Sequence, residues 1–285
     1  MRMKDAPFFW FRENRLEIPG VRGEHLFMHI TDTHVNVWDE EAAEEERQTA
    51  EKQDEMWRTF KGRFAEANGE PYGDPQRIPT REAFEKQLAL AEELKPEALL
   101  LSGDNLELSH PAGERYLTRM LGAYSGKYMI VPGNHEDQTF GSLWRPGVKT
   151  LDFDGFRIAA VDDSRKTVSR EDLDALRALC REGVPLIVLC HIPLAAPYCK
   201  AQCKEKMTGM DDYFSIDSEA ADENGREFVA LCAGSDAVKA VVCGHVHGYY
   251  RMELVPGKPQ IIGSQGMAGA VDLLTVAPPK PNPQL

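Results

Sequence analysis

Five short stretches of this 285-residue chain end in residues able to hold a metal ion. In order they are Asp32-Thr33-His34, Gly103-Asp104-Asn105, Gly133-Asn134-His135-Glu136, His191 and Gly244-His245-Val246-His247. They deliver two aspartates, the Asn134 amide and five of the chain's eight histidines. Imidazole nitrogen combined with carboxylate oxygen suits divalent ions of the first transition row, Mn, Fe or Zn, over Ca or Mg. The chemistry on offer is therefore that of two divalent cations. On an extended segment, Asp32 and His34 would project to the same side, and so would His245 and His247. Glycines 103, 133 and 244 allow sharp backbone turns at these points.

Each motif follows a short apolar run of the kind that forms a strand buried on both faces: residues 26–30, 98–101, 128–131, 186–190 and 240–243. In α/β sheets ligands gather beyond the carboxyl ends of such strands. Helical patterns lie between them. Thr80 is the expected N-cap of a helix carrying Phe84, Leu88, Ala91 and Leu94, stopped by Lys95-Pro96. Ser169 and Asp172 open a second helix, which Gly183 and Pro185 end. Asp154-Gly155 and Pro256-Gly257 mark two hairpins, within 151–161 and 249–262. The pattern predicts an α/β fold with a mixed sheet or a two-sheet sandwich flanked by helices.

The ordered set D-x-H, G-D, G-N-H-E, H and G-H-x-H resembles the calcineurin-like metallophosphoesterase superfamily. It spans Asp32 to His247, about three quarters of the chain. One such motif is weak, but five in order at strand ends are specific. The resemblance implies a four-layer α-β-β-α sandwich with two mixed sheets. It implies one metal held by Asp32, His34, Asp104 and His247, and a second held by Asp104, Asn134, His191 and His245. His135 matches the family's catalytic histidine, a general acid rather than a ligand. Glu107 stands where the family often has an aspartate that orients that histidine. A metal-bridging hydroxide would attack phosphorus while Asn134 helps position the phosphoryl oxygens.

Several branches fit poorly. Protein Ser/Thr phosphatases resemble G-D-x-V-D-R-G, whereas this chain reads Gly103-Asp104-Asn105-Leu106-Glu107-Leu108-Ser109. Purple acid phosphatases place a tyrosine ligand where Glu107 stands. DNA-repair nucleases need a basic cleft, and no cluster of basic residues provides one. The expected activity is hydrolysis of a small molecule's phosphate ester with Mn or Fe favoured. A cyclic-nucleotide or other phosphodiesterase is the alternative. A metal-binding scaffold without activity is the reading from another class, disfavoured because no expected ligand is missing.

The formal charge of −13 comes from two segments. Residues 39–55 carry a net −7 and residues 211–227 a net −6, so the remainder is neutral. The first is read as a charged, helix-prone stretch leading through Trp57 and Phe60 into turns that end near Pro79. A second long interruption, 195–227, holds Cys199, Cys203, Met207, Met210, Tyr213 and Phe214 and could line a substrate cap or pack onto the body. The organisation expected is one domain over 1–276 with insertions near 37–79 and 195–227, then a tail over 277–285 with four prolines. No apolar run approaches a membrane span, and no signal peptide is read. The six cysteines are expected to be free thiols in a reducing cytoplasm. His25, His29 and His110 are expected to be structural. Partners beyond a small phosphorylated substrate are not expected, and the oligomeric state is open.

Overall fold

The five apolar runs form four interior strands and one edge strand of two sheets in the computed structural model, which describes residues 8–38, 43–136, 143–207 and 210–280. Outside these lie residues 1–7, residues 39–42 of the acidic segment, residues 137–142, residues 208–209 and the last five of the proline-rich tail. The first sheet has the order β1 (Trp10–Glu17), β11 (Ala270–Ala277), β2 (His25–Ile30), β3 (Ala98–Ser102) and β4 (Tyr128–Val131). β2, β3 and β4 run parallel, and β11 lies antiparallel to β2. The second sheet has the order β5 (Lys149–Phe153), β6 (Phe156–Ala160), β7 (Leu186–Leu189), β8 (Val238–Cys243), β10 (Lys258–Ile262) and β9 (Tyr250–Val255). The two expected hairpins, β5–β6 and β9–β10, supply its antiparallel edges.

Strand alternation assigns the layers. Ile187 and Leu189 join Phe27, Leu99 and Leu101 in a core between the sheets, whereas Leu186 and Val188 face the other way. The latter pack with Leu173 and Leu176 of α4 (Arg170–Glu182) and Phe228 of α7 (Glu223–Gly234). On the first sheet, Phe84 and Leu88 of α2 (Thr80–Leu94) and Leu117 of α3 (Pro111–Ala123) close the core. The result is the α-β-β-α sandwich expected. Among the described residues no helix is long and apolar enough to cross a membrane. All six cysteines are free thiols.

Local differences from expectation have identifiable causes. Thr80 is the first residue of α2, not its N-cap, which is Pro79. Its hydroxyl accepts from Asn36 N at 3.0 Å and donates to Asp54 at 3.2 Å, so it ties two segments together. The acidic segment does not give way to turns just beyond Phe60. It continues as α1 (Glu44–Asn68), 25 residues long, until Gly69 adopts a left-handed conformation at φ 66°. Three glutamates in its first turn favour this helix through its dipole. The stretch 195–227, expected to be the second insertion, forms α5 (Pro197–Lys206), α6 (Asp211–Asp217) and the start of α7.

Candidate metal centre

The five motifs meet at one rim, at the carboxyl ends of β2, β3, β4, β7 and β8. Their side chains do not converge by strand alternation, as the sequence suggested. Asp32, His34, Asp104, His245 and His247 all have positive φ, between 42° and 75°. Among the described residues only Lys95 and Lys166 share this feature without glycine. Left-handed backbone costs energy in non-glycine residues and concentrates at functional sites. Here each turn tips a donor inward. Gly103, at φ 93°, must be glycine for the same reason, and an added Cβ there would strike the His191 ring. Gly133 serves close approach instead: its Cα lies against the Asp104 carboxylate.

Two donor clusters result, and Asp104 belongs to both. Asp32, His34, Asp104 and His247 offer one set of atoms within 4.8 Å of one another, and Asp104, His191 and His245 offer another. In the first, His34 Nε2 lies 3.0 Å from His247 Nε2 and 3.8 Å from Asp104 Oδ2, while His247 Nε2 lies 3.3 Å from Asp32 Oδ1. In the second, His191 Nε2 lies 3.3 Å from Asp104 Oδ2 and 3.1 Å from the Asn134 amide oxygen. Every one of these residues except the exposed Asn134 is buried.

The donors fit a pair of cations. His34 donates its Nδ1–H to Glu107 at 2.7 Å, which leaves a lone pair on Nε2 turned toward another imidazole nitrogen. His245 is buried with neither ring nitrogen hydrogen-bonded among the described residues. Buried polar atoms of this kind are normally satisfied, and a metal would satisfy them. Burial opposes ionisation of Asp32 and Asp104. The nearby histidines, His247 and His191 respectively, nevertheless hold both below the usual carboxylate range. Burial likewise works against a charged His191, yet Asp104 outweighs it and pushes that imidazole up to about 10. The pocket thus attracts positive charge.

His135 sits beside these clusters with its side chain 32 % exposed. Its Nδ1–H donates to the Glu107 carbonyl oxygen at 2.9 Å, and its Nε2 faces the centre 4.0 Å from Asp104 Oδ2. Glu107 therefore differs from expectation. Its carboxylate binds His34, with His135 Nδ1 farther off at 3.4 Å, and it is the Glu107 backbone that orients His135. The longer glutamate side chain reaches past the histidine it was expected to hold. A third donor group, His34, Glu107 and His135, is this hydrogen-bonded network.

A model of the calcineurin-like phosphoesterase family matches residues 25–249. The chain belongs to the calcineurin-like phosphoesterase family. No curated protein matches it significantly in sequence. Among solved structures it is similar to a dimetal phosphatase from Danio rerio, at 11% identity and a TM-score of 0.50, over 86% of this chain and 88% of that one. It is also similar to a purple acid phosphatase from yellow lupin seeds, at 13% identity and a TM-score of 0.49, over 88% of this chain and 46% of that one. The family's centre is dinuclear, and this phosphoesterase has donors for it.

Around these donors the phosphoesterase uses residues to which motif spacing gave no role in the centre. Asp163 accepts from the backbone N–H of His191 at 2.8 Å and of Ile192 at 3.1 Å. Burial pushes its carboxyl up to about 6. Glu136 accepts from Leu106 N at 2.5 Å and Gly133 N at 2.6 Å, clipping the second motif to the third. His29 is structural as expected: it bridges Asp272 at 3.1 Å and Ser102 at 2.7 Å. The Ser102 carbonyl in turn accepts from His191 Nδ1 at 2.8 Å. His29 lies 73 residues from Ser102 and 243 from Asp272, so spacing along the sequence does not show this relay.

Proposed function

We propose that this phosphoesterase hydrolyses a phosphate ester of a small molecule at two divalent cations, with His135 as general acid. The observation that carries the reading is the Asp104 carboxylate shared by two buried donor clusters. Asp32, His34, Asp104 and His247 would hold one ion, and Asp104, Asn134, His191 and His245 the other. Bound there, the ions would supply a hydroxide nucleophile near neutral pH and neutralise charge on the phosphoryl oxygens. Imidazole and carboxylate donors without thiolate suit Mn, Fe or Zn, with Mn or Fe favoured. The chain's own contribution is placement. Glu107 fixes the tautomer of His34, and Ser102 that of His191. Because Nδ1 of His135 is committed to the Glu107 carbonyl, a proton can leave only from Nε2, the atom facing the centre. The half-exposed ring gives a departing alkoxide access to that proton.

The unit that does this is proposed to be one domain over 1–276 with 37–79 and 195–227 as insertions. Six free thiols suit a reducing cytoplasm. Hydrolysis of p-nitrophenyl phosphate and of bis-p-nitrophenyl phosphate by the Mn2+-loaded chain tests the reading and separates monoesterase from diesterase. Turnover of either ester supports it. Two bound ions with turnover of neither would favour a metal-binding scaffold.

A further inference from the structure

α1 lays aromatic rings along one edge of the proposed centre. Trp57, Phe60 and Phe64 recur at spacings of three and four, so one face of the helix presents all three. None belongs to the hydrophobic clusters that hold the sheets and helices together. Their ring partners are one another and the imidazoles. Trp57 lies 4.6 Å from His34 and 5.6 Å from His247, Phe64 lies 4.6 Å from His247, and Phe60 lies 6.0 Å from Trp57. Trp57 is only 6% exposed, yet its Nε1–H has no acceptor among the described residues. A buried indole N–H ordinarily finds a partner. Phe60 and Phe64 stay half-buried. Beside them the exposed Arg63 holds its guanidinium 5.6 Å from the Phe60 ring and, among the described residues, pairs with no carboxylate.

We infer that this ledge selects the organic part of the substrate: a phosphate ester whose leaving alcohol carries a planar aromatic ring. The ring packs against Phe60 and Phe64, and the Trp57 Nε1–H donates to a phosphoryl oxygen. Arg63 adds a cation at the rim that favours an anionic ligand. The inference rests on the phosphoesterase reading and names the substrate class for it. It also explains why a long helix turns three aromatic side chains away from the core and toward the proposed ligands.

Calorimetric titration of the Mn2+-loaded full chain with phenylphosphonate and methylphosphonate tests it, because the two differ only in the ring. The phenyl compound should bind about tenfold more tightly, as expected for one aromatic contact with its buried area. The double variant Phe60→Ala/Phe64→Ala should lose that preference, and Phe60→Tyr/Phe64→Tyr should keep it. Trp57→Phe should weaken both compounds by about tenfold through the lost donor. Equal binding of the two by the wild type, or a preference that survives loss of both rings, overturns the ledge while leaving the phosphoesterase reading intact. Binding of neither compound by a metal-loaded chain removes that reading and the ledge with it. Loss of bound Mn2+ in the alanine variant also overturns the inference, since the rings would then be supports for His34 and His247.

Discussion

Tyr213 stacks on His245 with ring centroids 5.4 Å apart and planes inclined by 22°, and its hydroxyl donates to the His245 carbonyl oxygen at 3.1 Å. A metal-binding histidine is usually oriented by a hydrogen bond from its second ring nitrogen. His245 has none among the described residues. The tyrosine does that work through its face, and it comes from α6 of the second insertion. That insertion is therefore tied to the centre, not merely laid over it.

Tyr213→Ala should weaken binding of one of two Mn2+ ions by roughly ten- to hundredfold, the usual effect of losing a group that orients a ligand. Tyr213→Phe keeps the stacked ring and should retain both ions. Equilibrium dialysis with elemental analysis reads the two affinities separately. Unchanged binding in the alanine variant would show that the stack is incidental.

Asp104 is the group both clusters share, so Asp104→Asn should weaken both ions together, whereas His245→Ala should weaken one. Removing a charge that two cations share acts on each of them. Loss of a single ion in Asp104→Asn would place the carboxylate in one site only.

Two glycine substitutions should act in opposite directions. At Gly133 an added Cβ would overlap the Asp104 carboxylate and backbone, so Gly133→Ala should displace the second motif and lower Mn2+ content. At Gly122, near the end of α3, a Cβ would meet nothing within 4 Å. Gly122→Ala should stabilise the fold by about 0.5–1 kcal/mol in denaturant titration. Full metal content in Gly133→Ala would contradict the close approach.

Glu70 gives the stability a pH dependence. It accepts from Arg12 and from Ser264, each at 3.1 Å. Burial is the main cause that pushes its carboxyl up to about 7, against the lowering effect of Arg12. Below about pH 4.5 the group is protonated in folded and unfolded chains alike. Between there and about pH 7 only the folded chain keeps the proton, so stability falls as the pH rises through this window. The full effect is about 3 kcal/mol. Glu70→Gln should match the wild type near pH 4.5 and exceed it by about that amount at pH 8. Parallel pH–stability curves for the two proteins would show that Glu70 ionises normally.

Much of the architecture was legible because the middle strands are apolar on both faces and stop at chemically distinctive residues. Residues 186–190 read as a strand ending at His191, and β7 ends one residue short of Cys190. β1 was hidden because its eight residues include Arg12, Glu13, Arg15 and Glu17, charges that an edge strand tolerates. β11 was hidden because Asp272 interrupts an apolar run; its partner His29 lies 243 residues away. The candidate donors were legible by type and order. Their convergence was not, since it depends on positive φ at Asp32, His34, Asp104, His245 and His247, a tertiary constraint that spacing does not encode. Trp57 and Tyr213 stand in segments read as insertions, and only packing brings them to the imidazoles.

The most direct test of the dinuclear reading follows hydrolysis of p-nitrophenyl esters while Mn2+ is added stepwise to the metal-free chain, with bound ions counted at each step. Turnover should rise as the second ion binds and reach its maximum at two ions per chain. His135→Ala should bind the same two ions and turn over roughly 10²–10⁴-fold more slowly. Full turnover with one ion bound, or two ions bound without hydrolysis of either ester, would contradict a phosphoesterase centre bridged by Asp104.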